Sequence, residues 1–187
     1  MKNIVIFASG SGSNAENIIS YFEHHESINV VAVVCNKPNA GVIDRANKYA
    51  VPVIMTNKGD LQSAAFINKL KELEVDLIVL AGFLLLIPES ITQAFKMVNV
   101  HPSLLPKYGG KGMYGHFVHE AVIKAKEKES GITIHEVNAE YDKGKILFQA
   151  SCILEEGDTP EALAQKIHTL EHAHFPKVIE KLLLNQQ

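Results

Sequence analysis

The sequence has no tryptophan, a single arginine (Arg45) and two cysteines in 187 residues. Cys35 and Cys152 lie far apart, each inside an apolar run. That spacing leaves no CxxC metal pair and no disulfide framework, so buried reduced thiols are expected. Basic residues number 18 against 21 acidic ones, for a formal net charge of −3, and no basic block stands out. A nucleic-acid partner, which would call for a basic stripe, is therefore not expected. The apolar stretch Leu77–Pro88 falls well short of the roughly 20 residues that cross a bilayer. The opening run Ile4–Ala8 is cut by Gly10–Asn14, too early for a secretory signal. A soluble, cytoplasmic protein with no membrane partner is the expectation.

What the sequence does have is a steady rhythm of short apolar runs and longer 3.6-period segments. With 47% hydrophobic residues, a chain of this length buries roughly 70% of its unfolded surface, and residues 1–187 read as one domain. The runs Ile4–Ala8, Val30–Cys35, Val53–Met55, Leu77–Ala81 and Met97–Val100 are almost continuously apolar, as parallel strands covered on both faces are. Helical patterns fall between them at Asn14–His24, Val42–Tyr49, Leu61–Leu73 and just after Pro88. This alternation predicts an α/β fold, a doubly wound and mostly parallel sheet flanked by helices. After residue 100, a glycine- and proline-rich loop precedes a helix at His116–Lys126 and two strands, Ile132–Val137 and Ile146–Leu154. The polar link Asn138–Lys145 reads as the turn of a C-terminal antiparallel hairpin. Thr159-Pro160 opens a last helix, which Pro176 is expected to kink or break.

In such sheets ligands bind beyond the carboxyl ends of the strands. The segments to inspect are Ser9–Asn14, Asn36–Gly41, Gly82–Ile87 and Asn99 onward. Ser9-Gly10-Ser11-Gly12-Ser13-Asn14 joins the first strand to the first helix, and its N–H groups suit a phosphate. The same glycines fit a relaxed dinucleotide fingerprint, but no acid ends the second strand, where Cys35-Asn36-Lys37 stands. A tight turn without a ligand is the plain alternative. Asn99 and His101, two apart on the fifth strand, share one face. An amide donor beside a proton-shuttling imidazole suits a developing oxyanion, while local strand-end caps are the bland alternative.

Asn99–Pro106, followed by Lys107-Tyr108, resembles the signature of the folate-dependent formyltransferases. The likeness continues through Ala8–Asn14, Asn36-Lys37, Leu80–Phe83, Glu140-Tyr141-Asp142 with Gly144, and Thr169–Ala173. It implies a Rossmann-like formyltransferase fold and a transfer of formyl from 10-formyltetrahydrofolate, used as co-substrate, to the amine of glycinamide ribonucleotide in purine synthesis. The resemblance implies Asn99, His101 and Asp142 as the catalytic positions. Asn99 and a protonated His101 would hold the oxyanion, and Asp142 would raise the imidazole pKa and assist proton transfer. It further implies Gly12, Ser13 and Asn14 for the substrate phosphate and Glu171 for its amino group. Leu84, Leu85, Leu86 and Ile87, with Asn99, would hold the folate, and no metal is implied. The family commonly has an arginine where Leu85 stands, which puts the usual pairing with the folate's glutamate tail in question. Gly109-Gly110-Lys111-Gly112 reads as a cover over the site, and a monomer or weak homodimer is expected.

Four rival readings compete with this one. His168-Thr169-Leu170-Glu171-His172 fits the zinc pattern H-x-x-E-H, which also needs a third ligand. A formyltetrahydrofolate hydrolase would use similar residues but usually carries an N-terminal regulatory domain. A methionyl-tRNA formyltransferase usually adds a C-terminal barrel and a basic surface, and neither feature is recognised in these residues. A nucleotide-binding module would keep the glycine loop yet have no use for Asn99, His101 and Asp142 together.

Overall fold

The computed structural model describes residues 1–184. Seven strands form one sheet in the order β3-β2-β1-β4-β5-β6-β7. They are β1 (Lys2–Ala8), β2 (Ile28–Cys35), β3 (Val53–Met55), β4 (Val75–Leu80), β5 (Met97–His101), β6 (Glu129–Glu136) and β7 (Ile146–Ile153). The first five are parallel, and β6 and β7 close the sheet in antiparallel register. The strand order reverses between β1 and β4, which opens a crevice there at the carboxyl edge.

Burial on both faces explains the continuous apolar runs. Ile4 through Ala8 on β1 are fully buried, and alternate residues serve opposite layers. Ile4, Ile6 and Ala8 pack with Ala15, Ile18, Val42, Ala46, Phe175 and Ile179, from the helices α1 (Ser13–Phe22), α2 (Gly41–Lys48) and α7 (Pro160–Leu184). Val5 and Phe7 pack with Leu61, Phe66, Leu70 and Ile91. Those residues belong to α3 (Lys58–Leu61), α4 (Ala64–Glu72) and α5 (Glu89–Ala94). The buried stripe of α1 is Ala15, Ile18, Ile19 and Phe22, the spacing of one helical face. The remaining helix, α6 (His116–Lys124), packs against α7.

Three expectations need correction. The pattern Leu61–Leu73 is two helices, because Asn57 accepts from the Gly59 and Asp60 N–H groups and Ser63 from that of Phe66. Each cap starts its own helix. Pro176 does not break α7, which runs from Pro160 to Leu184. Its ring deprives the His172 carbonyl of the usual i→i−4 donor, and Asn17 Nδ2 on α1 supplies one at 3.1 Å. Cys35 is buried, but Cys152 is only half-buried.

Two glycines bring distant segments together. Gly12 sits at φ 80°, and a Cβ there would meet the Val42 side chain at 2.5 Å, so the first loop lies directly on α2. A Cβ on Gly144 would run into the Glu136 backbone, which folds the β6–β7 turn tightly back over the sheet edge.

Candidate active site

The crevice between β1 and β4 is a cleft of about 400 Å³. Four segments wall it: the loop Gly10–Asn14, the segment Leu80–Ile87, the end of β5 with Asn99 and His101, and the β6–β7 turn with Asp142. Gly110, Gly112, Met113 and Tyr114 line it from the glycine-rich loop, and His119, His168 and Glu171 from α6 and α7. Asn36–Gly41 contributes none of the lining residues. Instead, Asn36 Oδ1 accepts from the Ser9 hydroxyl at 2.5 Å, and the Leu84 N–H donates to that hydroxyl at 3.0 Å.

Asn99, His101 and Asp142 converge. His101 is 3% exposed. Its Nε2 lies 2.8 Å from the Tyr108 carbonyl oxygen, and because a carbonyl only accepts, that nitrogen carries the proton. Nδ1 then faces the carboxylate, 3.6 Å from Asp142 Oδ2. Ser103 Oγ donates to the Lys107 carbonyl at 2.7 Å. Thr133 Oγ1 accepts from the Leu105 N–H at 2.9 Å and donates to the Ser103 carbonyl at 2.7 Å. This buried lattice fixes the turn that carries Tyr108.

His135 on β6 was not singled out from the sequence. It faces Asn99 across the antiparallel register, with Asn99 Nδ2 3.1 Å from His135 Nε2. His135 Nδ1 donates to the Glu136 carbonyl at 2.8 Å. With Nδ1 as the donor to Glu136, Nε2 is the atom that meets the Asn99 amide nitrogen and fixes which way that amide points. The same Nε2 lies 3.5 Å from Asp142 Oδ1, so the carboxylate sits between two imidazoles.

Burial is the largest influence on His101 and pushes its pKa below 6.5, while Asp142 pulls it upward and loses. The direction is opposite to the expected rise. Burial also acts to raise Asp142, but the bond to His135, the His101 charge and the Gly110 N–H at 2.8 Å hold it below the usual carboxylate value. The cleft thus pairs a carboxylate with an imidazole that burial disposes to be neutral, with Nδ1 free to take a proton.

At the other end, Glu171 is 5% exposed. Its Oε2 accepts from Asn14 Nδ2 at 2.8 Å and from His168 Nδ1 at 3.1 Å. Gly12, Ser13 and Asn14 lie together at the start of α1. Asn14 Oδ1 and His119 Nδ1 are buried with no partner, an arrangement that costs on the order of 1–3 kcal/mol per group unless a ligand supplies one. Leu84 and Leu86 are exposed, Leu85 is half-buried and Ile87 is buried. The first two face the cleft with Tyr114 and Tyr141, both part-exposed. Among the described residues no three His, Cys, Asp or Glu side chains are grouped to hold a metal, and no helix is long and apolar enough to cross a membrane.

Comparison with known proteins agrees with this architecture. The formyl transferase family profile matches residues 2–179. The chain is 38% identical over 192 residues to the phosphoribosylglycinamide formyltransferase of Bacillus subtilis, covering 98% of this chain and 95% of that protein. It is 39% identical over 193 residues to the chloroplastic phosphoribosylglycinamide formyltransferase of Arabidopsis thaliana, covering 95% of this chain but 64% of the relative's length. The crystal structure of phosphoribosylglycinamide formyltransferase from Bacillus halodurans superposes with a TM-score of 0.87 at 35% identity, covering 100% of this chain and 97% of that one. The chain belongs to the formyl transferase family.

Proposed function

We propose that this protein transfers the formyl group of 10-formyltetrahydrofolate to the amine of glycinamide ribonucleotide, and that residues 1–187 act as a single domain in doing so. The observation that carries the reading is the meeting of Asn99, His101 and Asp142 at the centre of one cleft. The same cleft is lined by a glycine loop and by an apolar wall.

The phosphate sits on the N–H groups of Gly12, Ser13 and Asn14 and on the Ser13 hydroxyl at the start of α1, where the helix dipole favours an anion. Glu171 accepts from the donors of the same substrate. The flat folate ring lies on Leu84, Leu85, Leu86 and Ile87, a partly exposed apolar surface that gains from being covered. Asn99 lies between the two substrates.

The acceptor nitrogen attacks the formyl carbon, a C–N bond forms, and the carbonyl oxygen becomes an oxyanion. The Asn99 amide, oriented by His135, donates to it. The attacking nitrogen, now acidic, passes its proton to the free Nδ1 of His101 with Asp142 assisting. The resulting imidazolium is stabilised by the carboxylate and supplies a second donor to the oxyanion. Collapse breaks the bond to folate N10 and returns the proton there. His101 therefore acquires its charge during the reaction, in keeping with the pKa that burial depresses.

The test is to incubate the protein with 10-formyltetrahydrofolate and follow loss of the formyl group with and without glycinamide ribonucleotide. Acceptor-dependent loss is expected. Equal loss without acceptor would make the protein a hydrolase, and no loss in either case would leave a binding module.

A further inference from the structure

His101 can serve as the base of the proposed reaction only while its Nδ1 is bare. A neutral imidazole has two tautomers, and its neighbours in the site favour different ones. Asp142, 3.6 Å from Nδ1, only accepts, so it favours a proton on Nδ1. The Tyr108 carbonyl, 2.8 Å from Nε2, favours the proton on Nε2. The carbonyl makes the shorter contact, within hydrogen-bond range where the other is not, and it prevails. Withdrawing that carbonyl would change the tautomer without altering any residue that touches substrate.

The lattice of Ser103 and Thr133 reaches as far as the Lys107 carbonyl, and Tyr108 lies one residue beyond it. Tyr108 sits at φ 56°, a left-handed conformation that favours glycine, and the permissive Gly109 and Gly110 follow. Any residue could supply the carbonyl; what tyrosine adds is a phenol. Its hydroxyl donates to Glu127 Oε1 at 2.9 Å. Lys107 Nζ pairs with both oxygens of the same carboxylate, at 3.1 and 3.2 Å. Lys107 first and the phenol second hold Glu127 below the usual carboxylate value, so it stays an acceptor at neutral pH. Glu127 is itself firmly placed. α6 closes with Lys126 at φ 53°. The Lys126 N–H donates to the Ile123 carbonyl at 3.0 Å, and the Glu127 N–H to the Val122 carbonyl at 3.4 Å. These two bonds form a Schellman cap, and Val122 is buried. An isolated surface ion pair contributes little, but the Glu127 side chain is only 25% exposed and gathers donors from two consecutive residues.

We propose that Glu127 is a positioning residue: through the Tyr108 phenol it keeps the Tyr108 carbonyl on His101 Nε2, and so selects the tautomer whose Nδ1 can take a proton. The inference rests on the proposed reaction for the use made of Nδ1, though the tautomer is a property of the protein alone. The same turn carries the Gly110 N–H to Asp142 at 2.8 Å, so the latch steadies both partners of the acid–base pair. Neither Glu127 nor Tyr108 lines the cleft. Their effect therefore falls on the chemical step and not on the binding of either substrate.

The test is long-range proton–nitrogen NMR of the intact protein labelled with nitrogen-15 histidine, without substrate, at about pH 8, where the imidazole is neutral. The His101 signals are assigned by their loss in His101→Gln. The wild type should show a protonated Nε2 and a bare Nδ1. In Tyr108→Phe and Glu127→Ala the Nδ1 signal should move toward the protonated position. In turnover, kcat should fall about three- to tenfold, with either KM changed by less than about twofold. Glu127→Gln keeps an oxygen for the phenol and should return both tautomer and kcat to within about twofold of wild type. A wild-type ring protonated on Nδ1 would overturn the proposal. So would an unmoved tautomer in folded Tyr108→Phe and Glu127→Ala proteins, even with a lower kcat, or a Glu127→Gln protein as impaired as Glu127→Ala. The tautomer is read without formyl transfer. A protein whose tautomer responds as described yet moves no formyl group would refute the reaction and leave the latch intact.

Discussion

Replacing Asp142 with asparagine removes one charge and almost no volume. Asp142 lies 3.6 Å from His101 Nδ1 and 3.5 Å from His135 Nε2, with side-chain exposure of 12% for the carboxylate and 4% for His101. The amide oxygen of asparagine still accepts from the Gly110 N–H, so the turn should keep its shape. What disappears is the attraction between the carboxylate and the imidazolium formed during proton transfer. At such a separation and an effective dielectric near 20, that attraction is on the order of 4–5 kcal/mol. Residual solvent access and the neighbouring dipoles reduce it to about 2–4 kcal/mol, a slowing of roughly 30- to 1,000-fold. Single-turnover rates with saturating substrates measure the step directly, and KM for the ribonucleotide should change by less than about threefold, since Asp142 contacts His101 and His135 and not the glycine loop. A folded Asp142→Asn protein, checked by circular dichroism, that keeps more than about a tenth of the wild-type rate would refute the role given to this pair.

Other consequences follow from the same geometry. His101 must be neutral to take the proton, and its pKa lies below 6.5, so kcat should fall on an acid limb below that value, measured under saturating substrate. His135→Phe should lower kcat with a smaller effect on either KM, because Asn99 would lose the ring nitrogen that orients it. Gly12→Ala places a side chain at φ 80° against Val42. Stability should fall by about 1–3 kcal/mol in urea unfolding, with weakened acceptor binding. Finally, His101 and His119 both titrate below 6.5 in the folded protein and near 6.5 when unfolded. The unfolded state then binds more protons as pH drops through and below 6.5, so the melting temperature should decline from pH 7.5 to pH 5. A rise over that interval would contradict the burial of these rings.

The parallel half of the sheet was legible because strands buried on both faces have nearly uniform apolar sequence, as Ile4–Ala8 does. Elements whose limits depend on one side-chain bond were less so. Asn57 and Ser63 divide a stretch whose hydrophobic period alone reads as one helix. Pro176 is tolerated because of Asn17, 155 residues away along the chain from the His172 carbonyl it bonds. Asn99, His101 and Asp142 could be named from the sequence, while their convergence required the β6–β7 turn to fold back over β5. His135 was hidden inside a strand pattern, and only the cross-strand register places it on Asn99. Tyr108 acts on His101 through its carbonyl, a role that leaves no mark on side-chain identity. The pKa of His101 depends on the balance between burial and a carboxylate 41 residues later in the sequence, which residue types alone do not reveal.

The most direct measurement follows the fate of a carbon-13 label placed in the formyl group of 10-formyltetrahydrofolate, in the presence of glycinamide ribonucleotide. The account predicts that the label appears as a formamide on the ribonucleotide nitrogen, in step with loss of the folate signal. Label released as formate instead, with the ribonucleotide unchanged, would contradict it.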